Sequence, residues 1–244
     1  MLSERSKEIR RKAFELAKIN GGYHFGGSFS CAEILIALFD YILTKNDIFI
    51  LSKGHGCWCY YALLQEIGFC PKLEGHPHRD LHNGISWTTG SLGHGLPAAF
   101  GMALARKMLN KPGRIFVLMG DGELQEGTTW ETLLLAGKHQ TDNLIAIVDN
   151  NGCQGSDFCA NVLFPVAPLL AALPVAGWAV QITDGHHVNR LRHIITTRTA
   201  IEKPYLIFAD TIKGKGVSFM EGKPEWHARF PNQEQEAQLL EELS

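Results

Sequence analysis

A three-layer α/β/α fold on a mostly parallel sheet is what this sequence predicts, and three observations carry the prediction. Continuous apolar runs (RIFVLM at 114–119, LIAIV at 144–148, YLIFA at 205–209) are short, as strands buried on both faces should be. Segments with apolar residues at helical spacing separate them, and strands alternating with helices give a parallel sheet with helices on either side. The chain has 244 residues, 45% hydrophobic and 20% charged, enough to bury one large core.

Taken in order, residues 3–19 place Ile9, Ala13, Leu16 and Ala17 on one helical face, and Asn20-Gly21-Gly22 stops that helix. Ser30 is expected to cap a second apolar helix, CAEILIALFDYIL. A short strand over 47–51 and a helix over 55–67 follow. Residues 68–87, rich in Gly, His, Pro and Asn, read as a long loop, and such loops are uncommon unless they serve a function. GSLGHGLPAAFGMALARKML is a glycine-rich turn entering a helix, and further helices are expected over 128–139 and 188–201. A weaker strand covers 178–183, and the acidic, Gln-rich tail 232–244 suits a last surface helix. No internal repeat, low-complexity tract or linker divides the chain, so residues 1–244 are expected to form a single domain.

The formal net charge is -2 and no basic block occurs, which argues against nucleic acid or an anionic membrane as partner. The charged, amphipathic start has no apolar stretch of signal-peptide type, and no apolar run reaches the roughly 18 residues of a spanning helix. A cytoplasmic protein is expected. The six cysteines fit that compartment: none forms a CxxC pair, and Cys57-Trp58-Cys59 reads as buried free thiols rather than a metal or redox site.

The chemistry is expected where two strands end. Gly120-Asp121-Gly122-Glu123 follows RIFVLM, and Asp149-Asn150-Asn151-Gly152 follows LIAIV. Ligands of open parallel sheets bind beyond the carboxyl ends of the strands, so the two segments should lie together. Asp121 offers a hard anionic oxygen and Asn151 a neutral one, and the glycines flanking Asp121 permit close approach of a ligand. Magnesium takes about six oxygens, few of them from protein, which leaves room for a diphosphate. The plain alternative is two polar turns that merely end strands, and either motif alone is weak evidence. Together they are specific.

The interval from Asp121 to Asn151 matches the GDG…N signature of thiamine diphosphate enzymes, and GDGELQEGTTWETLLLAGKHQTDNLIAIVDNN closely resembles the transketolase family's version of it. TTGSLGHGLPAAFGMALA, LSKGHG, EGHPHRD and TIKGKGVSFMEGKPEWHAR are similar to further family segments, in order along nearly the whole chain. The resemblance implies the thiamine diphosphate-binding fold of the diphosphate-binding (PP-type) domain, with Mg2+ (or Ca2+ or Mn2+) held by Asp121, Asn151 and the backbone carbonyl of Cys153. It places Gly90, Ser91, Leu92 and Gly93 against the cofactor, Gly120, Gly122 and Glu123 near its diphosphate, and Glu126 of LQEG in a carboxylate network crossing to another chain. It also gathers His24, His55, His76 and His227 in one pocket, His24, His76 and His227 for substrate chemistry and His55 for the diphosphate side. Imidazole suits that work, because it donates to sugar and phosphate oxygens and exchanges protons near neutral pH. His94 ranks lower, Asp184-Gly185-His186 matches a structural corner near the cofactor, and His139, His187 and His193 read as ordinary surface or core residues.

Transketolases carry the glutamate that activates the cofactor on a pyrimidine-binding domain, and this chain stops at Ser244. The resemblance therefore implies a C-terminal partner subunit bearing that domain and glutamate, a heterotetramer of two copies of each, and sugar (phosphate) substrates between which a two-carbon ketol unit moves. Two alternatives remain at this point: the same cofactor acting on a modified sugar or a 2-oxo acid, and a non-catalytic thiamine diphosphate-binding scaffold. A decarboxylase has less reason to keep GHP and EWH together, and a degenerate scaffold should have lost metal ligands or histidines. Gly152-Cys153-Gln154-Gly155 departs from the family pattern and bears on what packs against the cofactor.

Overall fold

The computed structural model describes residues 2–163, 167–198 and 202–244. Seven strands are present among them: β1 (Ile48–Leu51), β2 (Ile115–Gly120), β3 (Leu144–Asn150), β4 (Cys153–Gln154), β5 (Asp157–Phe158), β6 (Ala179–Asp184) and β7 (Tyr205–Asp210). β4 and β5 make a small hairpin, and the others form a five-stranded sheet in the order β1-β2-β3-β7-β6 with every pair parallel. The helices are α1 (Glu4–Ile19), α2 (Phe25–Ser30), α3 (Ala32–Ala37), α4 (Trp58–Glu66), α5 (Gly95–Met108), α6 (Gly127–Lys138), α7 (Cys159–Val162), α8 (Val188–Thr196) and α9 (Gln233–Glu242).

The continuous apolar runs divide between two cores. Phe116, Leu118, Ile145, Ile147, Tyr205 and Ile207 join the cluster built by α1, α3, α4 and α8. Their sequence neighbours Ile115, Val117, Leu144, Ala146, Leu206 and Phe208 join the opposite cluster, with α5 and α6. Successive strand side chains point to opposite faces, so a strand with helices on both sides must be apolar throughout. The two clusters are the two interfaces of the three-layer sandwich.

Four expectations need correction or extension. Ser30 does not cap the second helix: residues 25–30 are themselves helical, Cys31 holds the cap position, and the Ser30 hydroxyl is used in the site below. The expected CAEILIALFDYIL helix is α3 followed by a wider turn over Leu38–Ile42. The helix expected over 188–201 ends at Thr196, and its last three positions lie outside the described residues. The tail helix, capped by Asn232, is more than a surface feature, because Leu239 and Leu243 are buried in the α1-side core.

A second buried element ties the α1-side layer to the sheet. Arg10 and Glu33, both fully buried, pair through two bonds of 2.6 and 2.8 Å, and Arg10 also donates to the carbonyls of Ser6 and Phe29. His186 Nδ1 lies 2.8 Å from Glu33, while its Nε2 accepts from the Ile212 amide at 2.9 Å. This makes Asp184-Gly185-His186 a structural corner joining α3 to the chain after β7; His186 does not line the cleft described next.

Candidate active site

Strand register decides the site. Gly120 of β2 stands beside Asp149 of β3, and Asn150 of β3 beside Asp210 of β7, so the residues that follow leave the sheet along one edge. Asp121 and Asn151 both line a single cleft there, together with Gly27, Lys53, His55, Leu92, Gly120, Gly122, Glu123, Cys153, Gln154, Gly155, Lys213 and His227. Asp121 Oδ2 accepts from the Gly152 amide at 2.6 Å and its Oδ1 from the Gly122 amide at 2.9 Å, which welds the two strand-end turns together. Burial foremost, and the nearby Asp149 charge, raise the Asp121 carboxyl to about 6. A carboxylate held where its charge is disfavoured gains from a cation.

The departure at 152–155 has a structural form. Gly152, at φ 75°, turns the chain into the β4–β5 hairpin. Gln154 then bonds Gln125, which donates to the Cys159 carbonyl at 2.9 Å, so the hairpin is pinned onto the turn carrying Asp121. A side chain at Gly122 would put its Cβ 2.7 Å from Gln154, so only glycine fits between them.

Glu123 is fully buried, and its carboxylate is engaged by the protein. Oε1 accepts from the Ser52 hydroxyl at 2.5 Å and the Gly93 amide at 2.9 Å, and Oε2 accepts from the Gly120 amide at 2.8 Å. The end of β1, the glycine-rich loop and the end of β2 are thus clasped by one side chain. Asp149 does the same one strand over: its Oδ2 takes Lys53, Ser30 (2.6 Å) and Asn151 (3.1 Å), and its Oδ1 takes Thr211 (2.5 Å). Burial opposes charge on both Lys53 and Asp149, yet each outweighs it for the other, raising the ammonium and lowering the carboxyl.

The four histidines meet. Ring centroids of His24 lie 4.9 Å from His227, 5.5 Å from His55 and 6.0 Å from His76, and His55 lies 5.0 Å from His227. His24 adopts a left-handed backbone (φ 68°) that is unusual for a side chain of this size and turns the chain into α2. Gly26 and Gly27 let α2 approach: a Cβ at Gly26 would stand 2.8 Å from the Trp226 carbonyl, and at Gly27 3.2 Å from the His55 ring. Burial, then the neighbouring His227 and His76, lower His24 to about 4. Burial, then Lys213 and Lys53, lower His227 to about 4 as well. His55 sits well below its ordinary value through burial and Lys53, and His76 is lowered by burial and His78. The cluster is neutral at pH 7, so each ring has one donor and one acceptor nitrogen.

Of the residues singled out by sequence, Gly90, Ser91, Gly93, Glu126, His24 and His76 do not line the cleft itself. Gly90 packs beside His76, Gly93 is held by Glu123, and Ser91 and Glu126 face solvent. His94 folds onto its own loop, 2.9 Å from the Leu92 carbonyl. His187 caps α8 through the Arg190 amide, an ordinary structural role. All six cysteines are free. Sequence reasoning gave no site role to Lys53, Lys213 or Thr211, read Ser30 as a helix cap, and took Asp149 only as part of a strand-end turn. Lys53 and Lys213 sit inside the quoted LSKGHG and TIKGKG segments, but a lysine in a motif carries no sign of being buried, as both are.

The oxygen donors Asp121, Asn151 and Cys153 carbonyl suit a hard divalent ion, and Lys213 and the neutral imidazoles beside it suit a diphosphate, while the Lys53 ammonium is engaged by Asp149. Among the described residues no group of three or more His, Cys, Asp and Glu side chains is placed to hold a metal ion. No helix among the described residues is long and apolar enough to cross a membrane.

Comparison with known proteins gives a concordant picture. The chain is 39% identical to an apulose-4-phosphate transketolase subunit of Actinobacillus succinogenes, over 99% of this chain and 95% of that protein. It is 37% identical to the 6-deoxy-6-sulfo-D-fructose transketolase subunit SqwG of Clostridium sp. (strain MSTE9), over 91% and 88%. The crystal structure of transketolase from Campylobacter jejuni superposes with a TM-score of 0.86 at 26% identity, over 98% of this chain but 42% of that one. The chain thus spans about two fifths of the length of that full transketolase. Residues 4–243 match the family described as transketolase, thiamine diphosphate binding domain, and the chain belongs to that family.

Proposed function

We propose that the chain is the diphosphate-binding subunit of a split, cytoplasmic transketolase, active with thiamine diphosphate, a magnesium ion and a second subunit that carries the pyrimidine-binding domain. One observation supports this most: Asp121 and Asn151, from adjacent strand ends, share a cleft with His55 and His227, His24 stands against both of those rings, and His76 stands against His24. In this reading Asp121, Asn151 and the Cys153 carbonyl hold the ion, and Lys213, His55 and the Gly120–Gly122 backbone hold the diphosphate. Bound thiamine diphosphate supplies the electron sink that lets a carbon–carbon bond beside a ketose carbonyl break and re-form. His24, His76 and His227 bind sugar hydroxyls and move protons at their ring nitrogens, a task for which their neutral state at pH 7 fits them. Glu123 and Glu126 serve differently: the first positions the glycine-rich loop, and the second faces the open side where a partner's carboxylates would meet it.

The partner reading has further support in exposed apolar side chains. Leu134 (59%) and Leu135 on α6, Phe158 in the hairpin, and Val162 and Leu163 just after it are open to solvent, as is Trp87 of the long loop. Relatives named as individual subunits of a transketolase point the same way, and two copies of each chain is the stoichiometry we favour. A modified sugar carrying an anionic group is the substrate reading the relatives' names favour, since one names a phosphate and another a sulfo sugar. The test is direct: with its partner, magnesium and thiamine diphosphate, the chain should transfer a glycolaldehyde unit between sugars, and alone it should not. Robust transfer by the pure chain would overturn the split-enzyme reading.

A further inference from the structure

Among the described residues, two ion pairs have both side chains fully buried: Arg10–Glu33, which joins structural layers, and Lys53–Asp149, which lies under the candidate metal site. A buried pair contributes little net stability over apolar residues of the same size, so its presence under a site calls for another role. Asn151 supplies one. Only the oxygen end of an amide can bind a hard ion, and an amide can turn over unless its neighbours forbid it. Here both neighbours do. Asp149 Oδ2 already takes Lys53 and Ser30, and as an acceptor it admits only the amino end of Asn151, at 3.1 Å. Ser30 Oγ takes the same amino group at 3.3 Å. On the far side the Cys153 amide, which can only donate, lies 3.0 Å from Asn151 Oδ1.

We propose that the buried Lys53–Asp149 pair is a positioning device for the Asn151 amide, keeping its oxygen on the side of Cys153 and so setting the affinity of the site for a divalent ion. The inference rests on the metal reading above and extends it to a buried pair outside the ligand set, whose lysine edges the cleft with its ammonium on Asp149. Lys53 fixes Asp149 between the end of β1 and α2, Thr211 fixes it from the β7 side, and Asp149 in turn fixes the amide. Residues that orient a metal ligand in this way are worth 10- to 100-fold in metal affinity when removed.

The test compares the parent full chain, alone and with its partner, with Lys53→Met/Asp149→Leu, Ser30→Ala and Asp121→Ala. Each is titrated with Mg2+ at a fixed concentration of thiamine diphosphate, followed by calorimetry, and its melting temperature is recorded without ligand. The double variant replaces the pair by apolar residues of similar size, so it should remain folded, with a lower melting temperature from the donors of Ser30, Thr211 and Asn151 that lose their acceptor, and need roughly 10- to 100-fold more Mg2+. Ser30→Ala, which removes one support, should shift the Mg2+ requirement in the same direction by less. A folded double variant with the parent's Mg2+ requirement would overturn the proposal, leaving the pair a purely structural one. If the double variant does not fold, Ser30→Ala decides, and an unchanged requirement overturns the proposal. Asp121→Ala separates the two levels: if the parent binds thiamine diphosphate without needing Mg2+, or this variant keeps the parent's Mg2+-dependent binding, the metal site itself is misplaced and the positioning role falls with it.

Discussion

Truncating Glu123 should loosen the glycine-rich loop before it affects anything else. Glu123→Ala removes the acceptor for the Gly93 and Gly120 amides and for the Ser52 hydroxyl, at a position 1% exposed. The hydroxyl can rotate to another partner, but the two backbone N–H groups cannot, and each buried, unpaired donor costs about 1–3 kcal/mol. Burial pushes the Glu123 carboxyl up, so removing its charge returns part of that cost. The net loss should be about 3 kcal/mol, a fall in Tm of about 6–12 °C for a domain of this size. Glu123→Gln keeps one oxygen for Gly93 and Ser52 and should lose less. Hydrogen exchange should quicken at residues 90–95, and thiamine diphosphate affinity should fall while its dependence on Mg2+ persists. A Glu123→Ala protein within about 1 kcal/mol of the parent in urea unfolding, with unchanged exchange in that loop, would refute the clasp.

Two further outcomes are expected. Arg10→Met leaves Glu33 buried with only His186 for support, and should cost about 3–5 kcal/mol in urea unfolding at pH 7. Burial opposes the Glu33 charge, but Arg10 and then His186 outweigh it and hold the carboxyl at about 2. A lowered carboxyl gives stability that is full above its unfolded value, near 4.5, and is lost as pH falls through 2, so the variant's deficit should shrink across that window. His76→Ala should lower turnover more than it weakens thiamine diphosphate binding, because His76 touches the imidazole cluster and not the cleft floor; steady-state kinetics with calorimetry checks this, and the reverse result would assign His76 to the cofactor.

Much of the fold was legible because its physics is local. A run such as LIAIV must be buried on both faces, whatever surrounds it, and the structure divides its residues between the two cores. Asp121 and Asn151 were legible for a related reason: parallel strands with apolar interiors place their polar ends along one edge, so two strand-end turns meet without further information. Ser30 failed the same kind of reasoning. A serine before an apolar helix has the look of a cap, but the Asp149 carboxylate, 119 positions away, claims its hydroxyl.

Local patterns in the chain were enough for the layered architecture, the pair of strand-end turns and, through motif resemblance, the histidines that belong together. Folding had to bring distant residues together before it could be known that Lys53 pairs with Asp149, that the Glu123 carboxylate holds the glycine-rich loop, and that the four imidazoles are buried enough to stay neutral. The division has one physical cause. Backbone periodicity and strand-end chemistry act between near neighbours, whereas burial and charge pairing depend on residues that only the folded chain brings within a few ångströms.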